Sequence, residues 1–135
     1  MKINVLIVDD CSVMRLMMKR TLSMCNLSIN RVFEASDGEQ ALEMVDTEDI
    51  DLIILDLYMP VMDGMEVLET IRNRSVTKQI PILIVSTESN ESMIQQIETL
   101  GLGFVHKPFT PEKLRAEIVK VSGDTDGFEA TIFKN

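Results

Sequence analysis

Short apolar runs alternate along the chain with longer segments in which apolar residues recur every three or four positions. The runs are Asn4–Val8, Arg31–Ala35, Leu52–Leu55, Ile82–Val85 and Phe104–Val105. Three of them are apolar throughout rather than alternating. That pattern predicts strands buried on both faces, as in a parallel sheet covered by helices. Between the runs, Gly38, Ala41, Leu42 and Val45 share one helical face, as do Gly64, Val67, Leu68 and Ile71. Met93, Ile97 and Leu100 repeat the stripe, and so do Leu114, Ile118 and Val121. In the first helix Val13, Leu16, Met17 and Met24 share a face, while Met14 and Met18 spill beyond it. Each stripe predicts one buried face per helix.

The punctuation agrees with this alternation. Ser36-x-x-Glu39 and Asp63-x-x-Glu66 read as capping boxes. Thr110 followed by Pro111 reads as an N-cap with proline in the first turn, and Gly101 stops the helix that ends at Leu100. Strand then helix, repeated about five times, predicts a single α/β doubly wound fold: a five-stranded parallel sheet with helices on both faces. The pattern breaks at Ser122–Gly127, so residues 1–121 are expected to form the domain and 122–135 a tail without a domain of its own. Gly127–Phe133 is partly alternating and reads as a frayed end, a docking or dimer element, or a stub of linker.

Composition narrows the partners. With 135 residues one domain is expected, and 45% apolar content is enough for a folded core. Acidic residues outnumber basic ones by 22 to 13, a net charge of -9. A direct nucleic-acid partner or an anionic membrane surface needs the opposite charge. No run approaches the ~20 apolar residues of a membrane span, so no membrane insertion is expected. Cys11 and Cys25 have no metal-type spacing, and Met1–Asn4 leads straight into a strand-like run without a signal peptide. A cytoplasmic protein with free thiols is the expectation.

In an open parallel sheet, ligands bind beyond the carboxyl ends of the strands, at a switch point in strand order. Asp9 and Asp10 follow the first run, Asp56 the third, Ser86 and Thr87 the fourth, and Lys107-Pro108 the fifth. Taken singly, such residues are helix caps or solvated loops. Their joint placement at strand ends points to chemistry. Three carboxylates at one edge repel each other, by about 4 kcal/mol for a pair ~4 Å apart at an effective dielectric near 20. A cation relieves that repulsion, and hard oxygen donors favour Mg²⁺. A lysine there suits a phosphoryl oxygen, and a hydroxyl adds a hydrogen bond once an acceptor arrives. This is equipment for phosphoryl transfer to a carboxylate.

The chain resembles the receiver domain of bacterial two-component response regulators, most nearly the stand-alone chemotaxis regulators with their flavodoxin-like, or CheY-like, fold. The resemblance is carried by Val5–Arg15 with its acidic pair, by Asp51–Pro60 with Met62-Asp63-Gly64, by Pro81–Thr87, and by Gly103–Phe109. It covers about residues 3–121, and the D-D, D-x-x-M-P-x-M-D-G and K-P-F elements in this order are specific. It implies that Asp56 accepts a phosphoryl group from a sensor histidine kinase or phosphotransfer protein. It implies Mg²⁺ held by Asp10, Asp56 and the backbone carbonyl of Tyr58, with Asp9 acting through a metal-bound water. Lys107 matches the phosphate-contacting lysine, with a cis bond to Pro108. Ser86 matches the switch hydroxyl with Thr87 beside it, and Phe104 the aromatic that swings inward. A downstream protein would bind the face built from the fourth helix, fifth strand and fifth helix. Tyr58 and Glu88 match positions that tune dephosphorylation. Such a protein is a phosphoacceptor signalling protein rather than an enzyme.

Phe104 stands where the chemotaxis motor regulator has Tyr, so it offers no hydroxyl to a partner. A receiver cut from a larger multidomain regulator is the alternative. A phosphatase of the haloacid-dehalogenase type would carry its nucleophile after the first strand in a D-x-D pattern, whereas Asp9-Asp10-Cys11 stands there. A nucleotide or flavin binder would need a glycine-rich loop, and Cys11-Ser12-Val13 provides none. His106 and Cys11 read as ordinary structural residues.

Overall fold

In the computed structural model of the chain, residues 2–57, 59, 64–73, 80–87 and 89–121 are described. The apolar runs become β1 (Ile3–Val8), β2 (Ile29–Ala35), β3 (Leu52–Asp56), β4 (Ile82–Ser86) and β5 (Gly103–His106). The helices are α1 (Ser12–Ser23), α2 (Gly38–Thr47), α3 (Gly64–Arg72), α4 (Glu91–Thr99) and α5 (Pro111–Val121). All strand pairs are parallel, in the order β2-β1-β3-β4-β5. Each strand runs slightly further than its apolar core because backbone pairing continues past it. Asp56 still pairs with Val85, and Ser86 with His106.

Alternate strand residues point to opposite faces, so the sheet divides the core in two. Leu6, Val8, Ile53, Leu55, Ile82 and Ile84 pack with α2, α3 and α4, while Val5, Ile7, Leu52, Ile54, Leu83 and Val85 pack with α1 and α5. Every residue of β3 and β4 is buried, as the unbroken apolar runs predict. The buried Cys25 thiol donates to the Pro111 carbonyl (3.3 Å), and burial pushes its pKa up to about 11.

The structure corrects three expectations. The face of α1 chosen from the sequence points outward: Val13 and Met24 are each 61% exposed, and Leu16 and Met17 are exposed too. Met18 and Leu22 are buried instead. Methionine and leucine occur all round this helix, so period alone did not select the inner face. Leu100 is exposed although Ile97 of the same stripe is buried, because the helix has ended and Gly101 at φ +80° turns the chain away. The N-cap of α2 is Asp37, one residue later than Ser36: its carboxylate accepts from Gln40 N (2.9 Å), and Gln40 Oε1 accepts from Ser36 N.

Elsewhere the caps match the pattern. Thr110 Oγ1 accepts from Lys113 N (3.2 Å) at the start of α5, and the Gly101 amide donates to the Glu98 carbonyl. Asp63 and the tail 122–135 lie outside the described residues. Among the described residues no helix is long and apolar enough to cross a membrane.

Candidate functional site

The chain leaves β1 for β2 on one side and returns to β3 on the other, so the order reverses between β1 and β3. A crevice opens at the carboxyl ends of such a pair. Asp9 and Asp10 follow β1 and Asp56 ends β3. Each offers a carboxylate oxygen, and these oxygens lie within 4.8 Å of one another. Asp9 and Asp56 are buried, at 7% and 9% exposure, and Asp10 is exposed at the mouth.

Asp9 is held on every side. Its amide donates to the Ala35 carbonyl (3.1 Å), extending the β1–β2 ladder by one residue. Oδ1 accepts from Cys11 N (2.9 Å), and Oδ2 from Lys107 Nζ (3.2 Å). Lys107 also lies 3.7 Å from Asp56 Oδ1, which puts one ammonium against two buried carboxylates. It is set there by β5, because its amide donates to the Ser86 carbonyl (2.9 Å). One lysine against three carboxylates leaves a negative pocket of hard oxygen donors. That donor set fits Mg²⁺.

The other sequence-selected residues sort by depth. Ser86 ends β4 fully buried at the same edge, and Thr87 after it is exposed. Phe104 pairs with Ile84, two residues deeper in the sheet, and packs half-buried against the α2–α4 side of the core. The Lys107–Pro108 bond is cis. Tyr58 and Glu88 lie outside the described residues. The fold thus gathers Asp9, Asp10, Asp56 and Lys107 into one pocket, with Ser86 buried at the same edge of the sheet and Phe104 two residues deeper. Ser86 and Thr87 do not cap α4, whose N-cap is Asn90.

Three contributors escaped the sequence reading. Gly64, taken as one position of an apolar stripe, donates its amide to the Leu57 carbonyl (3.0 Å) and packs against the backbone of Asp56. Arg15 Nη1 donates to the Asp9 carbonyl (2.7 Å), and its Nε donates to Glu34 Oε1 (2.9 Å) on β2. No local signal joins Arg15 to Glu34, because only the pairing of β1 with β2 brings them together.

Beside the mouth, α1 and the segment after β5 enclose a cleft of about 320 Å³, lined by Met14, Met17, Thr21, Thr87, Lys107, Pro108 and Phe109. The exposed Val13, Leu16 and Met17 of α1 extend this apolar surface outward from the pocket.

Residues 5–119 match the model of the response regulator receiver domain family. The chain is 35% identical to chemotaxis protein CheY1 of Helicobacter pylori, over 91% of this chain and 99% of that protein. It is 34% identical to chemotaxis protein CheY of Pseudomonas aeruginosa, over 92% and 99%. Among solved structures it is similar to CheY4 of Vibrio cholerae, with a TM-score of 0.78 and 35% identity over 90% of this chain and 99% of that one.

Proposed function

We propose that this chain, which belongs to the response regulator receiver family, takes a phosphoryl group onto Asp56 from a phosphohistidine and thereby changes its affinity for a protein partner. The observation that carries the proposal is the meeting of Asp9, Asp10, Asp56 and Lys107 at the switch point of the sheet. An Asp56 oxygen would attack phosphorus as the bond to the donor imidazole breaks, and the imidazole would leave with the electron pair. Asp10 and Asp56, with the Tyr58 carbonyl, would hold Mg²⁺. Both oxygens of Asp9 already accept hydrogen bonds, which favours its reaching the cation through water. A bound Mg²⁺ supplies charge neutralisation between two anions that otherwise repel. Lys107 is placed to take one phosphoryl oxygen, as a point charge at the pocket wall.

The signal would then pass inward. The Ser86 hydroxyl reaches the new phosphoryl oxygens, and Phe104 behind it shifts its packing, so that α4, β5 and α5 present a different face. This is a population shift driven by a few new contacts. The reading is the same for a stand-alone protein and for a receiver within a longer chain.

Lys107→Ala tests the coupling. It removes a cation that competes for Asp9 and Asp56, so Mg²⁺ affinity is not expected to fall. With beryllofluoride as the phosphoryl mimic, the NMR shifts of the Phe104 ring should no longer move. An unaltered Phe104 response in the variant would refute the role of Lys107.

The exposed apolar side of α1 beside the mouth favours a macromolecular donor, which needs a dry landing surface next to the reacting atoms. Met17→Glu should slow transfer from a phosphorylated histidine protein by about tenfold or more. Phosphorylation by a small donor should be unchanged. Equal slowing with both donors would place the defect in the pocket rather than in docking.

A further inference from the structure

We propose that Arg15 is a positioning residue that sets the Asp9–Asp10 peptide for cation binding, with Glu34 as its anchor. The inference rests on the reading of the acidic pocket as a Mg²⁺ site and assigns that site a support from α1 and β2. A peptide unit is planar, so fixing the Asp9 carbonyl fixes the plane from which Asp10 starts. Arg15 Nη1 makes that contact at 2.7 Å. The amide of Asp9 and both of its carboxylate oxygens are engaged by Ala35, Cys11 and Lys107. The carbonyl is the remaining polar group of Asp9, and it leads directly into Asp10, the exposed carboxylate of the cluster.

The guanidinium is itself held. Its Nε donates to Glu34 Oε1 (2.9 Å), and Lys19 Nζ donates to Glu34 Oε2 (3.2 Å). Burial raises the Glu34 pKa, but the hydrogen bonds from Arg15 and Lys19 outweigh it and hold the carboxyl below its usual range. Arg15 is 16% exposed and Glu34 37%. The planar fork lets one side chain bond a carboxylate on β2 and a carbonyl at the end of β1 at once. The single ammonium of lysine does not reproduce that. A plain ion pair this exposed adds little to stability. A purely structural role would therefore appear as a small loss of Tm with unchanged cation affinity.

Titration calorimetry with Mg²⁺ separates the two. Partners that orient metal-ligating residues typically contribute about 10- to 100-fold in affinity. Arg15→Ala should weaken Mg²⁺ binding by about that range, and Arg15→Lys should restore little of it. The Mg²⁺ concentration for half-maximal phosphorylation by phosphoramidate should rise in step, while the rate at saturating Mg²⁺ stays near that of the parent protein. Glu34→Gln should give a smaller loss in the same direction. Lys19→Ala, which touches Glu34 but not Asp9, should give none. A folded Arg15→Ala variant with parental Mg²⁺ affinity would overturn the proposal. If that variant does not fold, unchanged affinity in Glu34→Gln overturns it instead. Absence of Mg²⁺ binding by the parent protein would overturn the cation site itself, a result distinct from failure of the Arg15 role.

Discussion

Replacing Asp56 with Asn is expected to end phosphorylation without unfolding the protein. The amide has the size of the carboxylate but lacks its nucleophilic charge. Among the described residues no neighbour is placed to substitute. Asp9 has both oxygens engaged by Cys11 N and Lys107, and Asp10 lies at the exposed mouth. The electrostatic changes oppose one another. Losing Asp56 removes repulsion from two carboxylates whose nearest oxygens lie within 4.8 Å, and it removes attraction to Lys107 at 3.7 Å. At an effective dielectric near 20 each pair is worth about 3–5 kcal/mol, so the two repulsions lost outweigh the one attraction lost. Tm should equal or exceed that of the parent. Intact-mass spectrometry after incubation with phosphoramidate and Mg²⁺ should show one phosphoryl group on the parent protein and none on the variant. A phosphoryl group retained by the variant would remove Asp56 from the mechanism.

Gly64→Ala is expected to damage both stability and phosphorylation. A Cβ at this position would sit 2.8 Å from Leu57 Cα and 3.1 Å from the Leu57 carbonyl, and closer still to the Asp56 carbonyl. These are backbone atoms of the segment that carries the phosphoacceptor, so no side chain can rotate away. Either α3 or the end of β3 must move. Overpacking of this kind costs about 1–3 kcal/mol. Alanine's helix propensity returns at most about 1 kcal/mol of that. For a domain of this size Tm falls by roughly 3–5 °C per kcal/mol. Displacing Asp56 should also slow phosphorylation by the small donor at saturating Mg²⁺. A variant with parental Tm and parental rate would show that the close approach of α3 to β3 does not position Asp56.

Strand positions, helix positions and the acidic edge were legible because each has a local signature. Strands buried on both faces must be apolar throughout, and β3 and β4 are. Helices that cover them must carry a stripe, and Val67, Leu68 and Ile71 do. The pocket residues each follow a strand directly, so the rule for ligand placement in parallel sheets finds them. The inner face of α1 was not legible. Met14, Met18 and Leu22 compete with Val13, Leu16 and Met17 on hydrophobicity alone, and only docking against α5 and the sheet decides between them. The Arg15–Glu34 pair was hidden for a similar reason, since its members meet only through strand pairing. The backbone contact of Gly64 needs the packing distance of α3, which a helical wheel does not contain.

One particular carboxylate, Asp56, is expected to become the acyl phosphate. Borohydride reduces an aspartyl phosphate to homoserine, and peptide mass spectrometry locates the product. Protein phosphorylated in the presence of Mg²⁺ should carry homoserine at position 56 alone. Homoserine at position 9 or 10, with Asp56 intact, would contradict the account.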